Sequence, residues 1–109
     1  MSLKNKKVFC QDGFAMSVQA NSTAYCAPRI TGAGKYYEVE IGYPSELEPL
    51  IIKYAEEPSK PTKTVYGYVP VNTVYLVITK HGGMTDGTVP SGVPVYEYLN
   101  KMERCDESR

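Results

Sequence analysis

No tryptophan, no second histidine and no C-x-x-C pair occur in this chain of 109 residues. Nor does any apolar run approach the ~20 residues that a membrane-spanning helix needs. Each absence narrows the field. The three cysteines, Cys10, Cys26 and Cys105, are odd in number and match no disulfide framework. Structural zinc sites usually bring ligands in close pairs, because a short knuckle closes at little entropic cost. A set built from Cys10, Cys26, His81 and Cys105 is therefore disfavoured, and reduced thiols without metal are the expectation. The lysines of "MSLKNKKVFC" are followed by Gln11, Asp12 and Gly13 and not by an apolar core, so no signal peptide is read. A cytoplasmic protein follows as the expected setting. Charge is also without excess: Lys+Arg is 12 and Asp+Glu is 12. Nucleic-acid binders usually carry a basic surplus, so nucleic acid is not the expected partner. Length and ordinary globular composition predict a single domain over 1–109.

What is present reads as alternating elements. "VFCQDGFAMSVQA" has a turn signal at Asp12-Gly13, with Phe14, Met16 and Val18 alternating behind it. That predicts a strand over 14–20, with "KVFC" as the first arm of a hairpin. Residues 20–35 are rich in small and polar types and read as a long loop. "YYEVEIGY" alternates again, which predicts a strand over 36–43 with Tyr37, Val39 and Ile41 inward. Ser45 and Glu48 have capping-box spacing. Leu47, Leu50, Ile51, Tyr54 and Ala55 then form a helical stripe that Pro58 ends. "VYGYV" predicts a strand over 64–69.

The most apolar stretch, "TVYGYVPVNTVYLVITKHGGM", ends in the lone histidine. Its β-branched and aromatic residues suit a buried strand. Its periodicity, Val71, Val74, Tyr75 and Ile78, suits a helix that Gly82 would stop in the left-handed conformation. The helix is the reading adopted. Residues 81–94 form a glycine-rich loop. From Pro94, a further helix would place Val95, Tyr98, Leu99, Met102 and Cys105 on one face. The expected class is α+β: a small antiparallel sheet covered on one face by two or three short helices.

The blocks "FCQDGFAMSVQA", "YCAPR", "YYEVEIGYPSE", "TVYGYVPV" and "KHGGM" together resemble a family of small bacteriophage- and prophage-encoded proteins. The resemblance covers residues 9–84. It implies a phage genomic context and a helix ahead of "KHGG", and it implies no particular reaction.

Candidate chemistry concentrates in few places. His81 could serve as base, ligand or proton shuttle, but the adjoining "GGM" is better explained by helix termination. "ITGAGKYY" lacks the P-loop pattern and precedes a strand, so no nucleotide cofactor is expected. In "YCAPR", Tyr25 offers a stacking face and Arg29 a fork that matches carboxylate or phosphate. Ten tyrosines with no tryptophan suit a wet interface. The expectation is a non-enzymatic binding protein acting in the host cytoplasm, with no cofactor and no catalytic residue assigned. Its candidate binding residues are Tyr25, Arg29, Tyr66, Tyr68 and His81. The expected partners are a second copy, as a dimer, and a host protein or small anionic ligand. The alternatives are a small hydrolase or transferase using His81 or Cys26, and a minor virion component.

Overall fold

A computed structural model of the chain describes residues 4–95. Five strands form one antiparallel sheet: β1 (Val8–Cys10), β2 (Ala15–Gln19), β3 (Glu38–Gly42), β4 (Val65–Pro70) and β5 (Met84–Asp86), in the order β4-β3-β2-β1-β5. One α-helix, α1 (Val71–Lys80), follows β4 directly. Asp12-Gly13 closes the β1–β2 hairpin, with Gly13 at φ 98° and the Asp12 carboxylate accepting the Phe14 N–H. β2 changes partner along its length. Met16 and Ala15 pair with β1, while Ser17, Val18 and Gln19 pair with β3.

The core lies between one sheet face and the helix. Val8, Met16, Val18, Val39, Ile41, Tyr66 and Val69 are fully buried from the strands, and Val74, Val77 and Ile78 from α1. Those helical positions are i, i+3 and i+4, a single stripe. Each such side chain contributes roughly 1.5–3 kcal/mol by leaving water. The helix reading of the apolar stretch therefore holds, and its stop is a full Schellman pair. The Gly82 N–H donates to Thr79 O (3.0 Å) and the Gly83 N–H to Ile78 O (2.9 Å). The chain then turns back as β5, which lies beside β1. "GGMTDG" carries no alternation, so this strand had no signal in the sequence.

The expectation of a sheet covered by two or three short helices is overturned. Among the described residues there is one α-helix, and the fold is mostly β. Residues 45–55 are the main departure. Only Ile52–Tyr54 is helical, as a single 3-10 turn. Leu47 and Leu50 are exposed at 53% and 37%, whereas Glu48 is buried at 1%. The stripe is thus split: Ile51 is fully buried and Tyr54 and Ala55 pack against the core as expected, while the two leucines face out and Glu48 takes an inward place. The Glu48 carboxylate accepts the Leu50 N–H (2.9 Å), closing a local turn in place of an α-helix, and Pro49 has no N–H to give one. The strand over 36–43 is also shorter than expected. It starts at Glu38, so Tyr37 is 61% exposed and Tyr36 is buried instead, its hydroxyl donating to Ile30 O (2.6 Å). The helix expected after Pro94 lies outside the described residues, apart from its first two positions.

Candidate functional site

His81 caps the C-terminus of α1 and is 5% exposed. Its Nδ1–H donates to Asp12 Oδ2 (2.6 Å) and its Nε2–H to Glu48 Oε1 (2.7 Å). An ionised carboxylate only accepts, so a ring held between two of them donates from both nitrogens and is an imidazolium. Burial alone would push the His81 pKa down. The hydrogen bonds to Glu48 and Asp12, and the charges of both, outweigh burial and raise it. Asp12 is held below the usual carboxylate range by the Phe14 N–H and by His81. For Glu48 burial acts upward, but the Leu50 N–H, Lys80 and His81 together bring it down. Lys80 Nζ donates to the second Glu48 oxygen (2.9 Å), and the Phe14 ring stacks on the imidazole at 4.1 Å and 12°. The cluster ties the hairpin turn, the 45–50 segment and the helix end together.

This geometry leaves His81 no lone pair for a metal or a substrate proton. The thiols are no better placed for attack, since the reactive form of cysteine is the thiolate. Burial, with the Asp12 charge adding to it, pushes the Cys10 thiol up to about 11. Cys26 is 2% exposed, and its thiol donates to Asn21 O (3.2 Å). Cys105 lies outside the described residues.

The remaining candidates divide by a single irregularity in β4. Val39 pairs with Val69, but Ile41 pairs with Tyr66. Glu40 therefore faces two residues, Gly67 and Tyr68, which is a β-bulge. Strict alternation would put Tyr66 and Tyr68 on one face. The bulge separates them. Tyr66 is fully buried, its hydroxyl donating to Pro61 O, and burial raises its pKa. It presents nothing to a partner, which corrects its place among the binding residues. Tyr68 is 45% exposed and takes φ 53°, a conformation rare for a bulky residue.

The long loop reaches across this bulge. The Tyr25 N–H donates to Glu40 Oε1 (2.9 Å), and Tyr25 O accepts the Tyr68 N–H (3.0 Å). The tyrosine rings lie 6.1 Å apart, tilted by 36°. Gly67 makes room: a β-carbon there would come within 3.2 Å of the Tyr25 Cβ. Arg29 sets its guanidinium 5.4 Å above the Tyr25 ring. Tyr25, Arg29 and Tyr68 thus meet on one exposed surface, and Tyr66 and His81 lie elsewhere. Two residues on, Ala27 O accepts the Tyr37 N–H (2.8 Å), and Lys35 Nζ sits 5.6 Å above the Tyr37 ring.

Two open clefts occur among the described residues, neither lined by Tyr25, Arg29 or Tyr68. One is lined by Tyr43, Glu56, Glu57 and Lys63, and the other by Thr31, Tyr36, Val89 and Pro90. The hydrogen bonds of the Tyr25 backbone anchor the tyrosine surface.

Sequence reasoning missed Glu48, Asp12, Phe14, Glu40 and Gly67 as partners. The first three reach His81 from 33, 69 and 67 positions away, and no local pattern marks such distances. Gly67 did carry a signal, because a glycine inside a strand pattern often marks a bulge or close backbone approach. Comparison with family models, with curated proteins and with solved structures found no match.

Proposed function

We propose that this is a phage-derived accessory protein that works by binding a host protein in the cytoplasm, through Tyr25, Arg29 and Tyr68. The observation that carries the reading is the convergence of these side chains on one exposed surface, fixed by backbone bonds across the β4 bulge. Bulges re-aim side chains at sites of recognition, and functional residues concentrate on loops held by a rigid sheet. Tyrosine and arginine are also the residue types enriched at interface hot spots. A protein partner is favoured over a small anionic ligand, because small ligands are usually held in concave pockets and these three residues line neither cleft described above. The hydrolase or transferase alternative has less support, since His81 is saturated and both described thiols are buried.

A photo-crosslinking residue at position 68, with a control at exposed Thr79 on α1, tests this in the host cell. The reading expects a discrete adduct from position 68 and none from position 79. Equal adducts from both positions, or none from position 68, would remove it. The dimer expected from the tyrosine count is a separate proposal, supported by exposed Leu47, Leu76 and Tyr43. Sedimentation at micromolar concentration tests it, and a monomer would end it.

A further inference from the structure

Both cations on the tyrosine surface are held by rings and not by acids. Among the described residues the ion pairs are Lys60–Glu57, Lys80–Glu48, and His81 with Asp12 and Glu48. Arg29 and Lys35 enter none of them. A cation–π contact such as that of Arg29 with the Tyr25 ring uses no N–H acceptor, so the guanidinium donors stay available. Apart from a long 3.5 Å contact to Thr23 O, the Arg29 donors meet no protein acceptor among the described residues. The ring also limits the rotamers of the cation, so less entropy is lost when an anion arrives.

We propose that the surface formed by Tyr25, Arg29, Lys35, Tyr37 and Tyr68 receives an acidic segment of a partner protein, its carboxylates meeting the two cations while an apolar side chain rests on the Tyr25 and Tyr68 rings. This rests on the reading of the same surface as the binding surface. Charge complementarity carries it: a carboxylate matches the free edge of a guanidinium in bidentate fashion, and a nearby ammonium serves a second acid. The rings add contact area at low entropic cost.

Single-stranded nucleic acid also uses aromatic platforms with cations, but it needs a basic track that follows a repeating phosphate chain. That track is interrupted here. Glu40 is fixed beneath Tyr25, and Glu38 is tied to Ala27 by backbone bonds beside Tyr37. Two cations unpaired among the described residues offer places for two acids, which suits a short acidic segment, and they are too few for a repeating phosphate chain.

The test is a titration of the ¹⁵N-labelled protein, followed by amide chemical shifts. The probes are a capped hexapeptide with four glutamates around a central Leu-Phe pair, its lysine counterpart, and single-stranded octathymidylate. The acidic peptide is expected to shift Tyr25, Arg29, Tyr37 and Tyr68, with affinity falling as salt rises. Arg29→Gln combined with Lys35→Gln should weaken it about tenfold while leaving the rest of the spectrum in place. Equal or stronger shifts at this surface from octathymidylate or from the lysine peptide would overturn the acidic partner and leave the surface standing. No shift at this surface with any probe would overturn both. The wild-type titration alone separates these outcomes, so the result does not depend on the variants folding.

Discussion

The Nε2–H of His81 donates to Oε1 of Glu48 across 2.7 Å, and both side chains are almost wholly buried. The two residues lie 33 positions apart, one at a helix end and one in an irregular turn. Asp12 takes the other ring nitrogen, so the only histidine is a charged fastener between three chain segments. Buried ion pairs of this kind hold only while every partner is present.

The pH dependence of stability follows from the directions of the shifts. The folded His81 pKa is raised above 6.5, so its contribution is complete below that value and is lost as pH rises through the folded value. Asp12 and Glu48 are depressed below 3.8 and 4.5, so their contributions are present above those values and are lost as pH falls through the folded ones. Urea unfolding across pH should show maximal stability between roughly pH 4.5 and 6.5. It should show a decline on the alkaline side that His81→Gln removes. A flat profile from 6.5 upward would mean that the ring is not held as an imidazolium.

Removing one acid should not equal removing the other. Glu48 is 1% exposed and, once lost, leaves the buried His81 imidazolium without its inner acid, whereas Lys80, 46% exposed, keeps access to water. Glu48→Ala should cost about 3 kcal/mol or more. The Asp12 side chain is 45% exposed and water can replace it, so Asp12→Ala should cost about 1 kcal/mol. Denaturant midpoints of the two variants check the order. Equal losses would remove the distinction between the buried and the wet arm of the clamp.

Gly82 holds φ 94°, and a β-carbon there would meet the Gln11 Cβ and Oε1 at 2.9 Å. Gly82→Ala should therefore lower stability by about 1–2 kcal/mol through the left-handed backbone, and more if Gln11 cannot withdraw. Combining it with Gln11→Gly, and comparing with Gln11→Gly alone, removes the clashing β-carbon and separates the two causes. The steric part should vanish and the backbone part remain.

Local patterns carried part of this fold into the sequence. The Asp12-Gly13 hairpin, the inward Val39 and Ile41, and the helix closed by Gly82 all rest on neighbours within a few residues. In residues 45–55 the stripe is met at Ile51, Tyr54 and Ala55, but the helix fails because a tertiary ion cluster draws Glu48 inward and leaves Leu47 and Leu50 out. Tyr66 and Tyr68 failed as a pair because one extra residue at the bulge shifts the phase of the strand. On the site, "YCAPR" pointed to Tyr25 and Arg29 through residue chemistry alone. Their meeting with Tyr68 was not legible, because it depends on a long loop crossing two strands. His81 was read first as a helix-end residue, and it does cap the helix, but its carboxylate partners left no trace in the spacing.

The most direct test of the binding surface compares the proteins retained from host cells by the wild type, by Tyr68→Asn combined with Arg29→Gln, and by Tyr43→Asn. Asparagine removes each ring while tolerating the left-handed backbone that Tyr68 and Tyr43 both adopt. All three proteins must first be matched for folding by their amide spectra. The account predicts a stoichiometric partner on the wild type and on Tyr43→Asn, lost from the double variant. The same partner retained by all three, or lost equally from both variants, would contradict it.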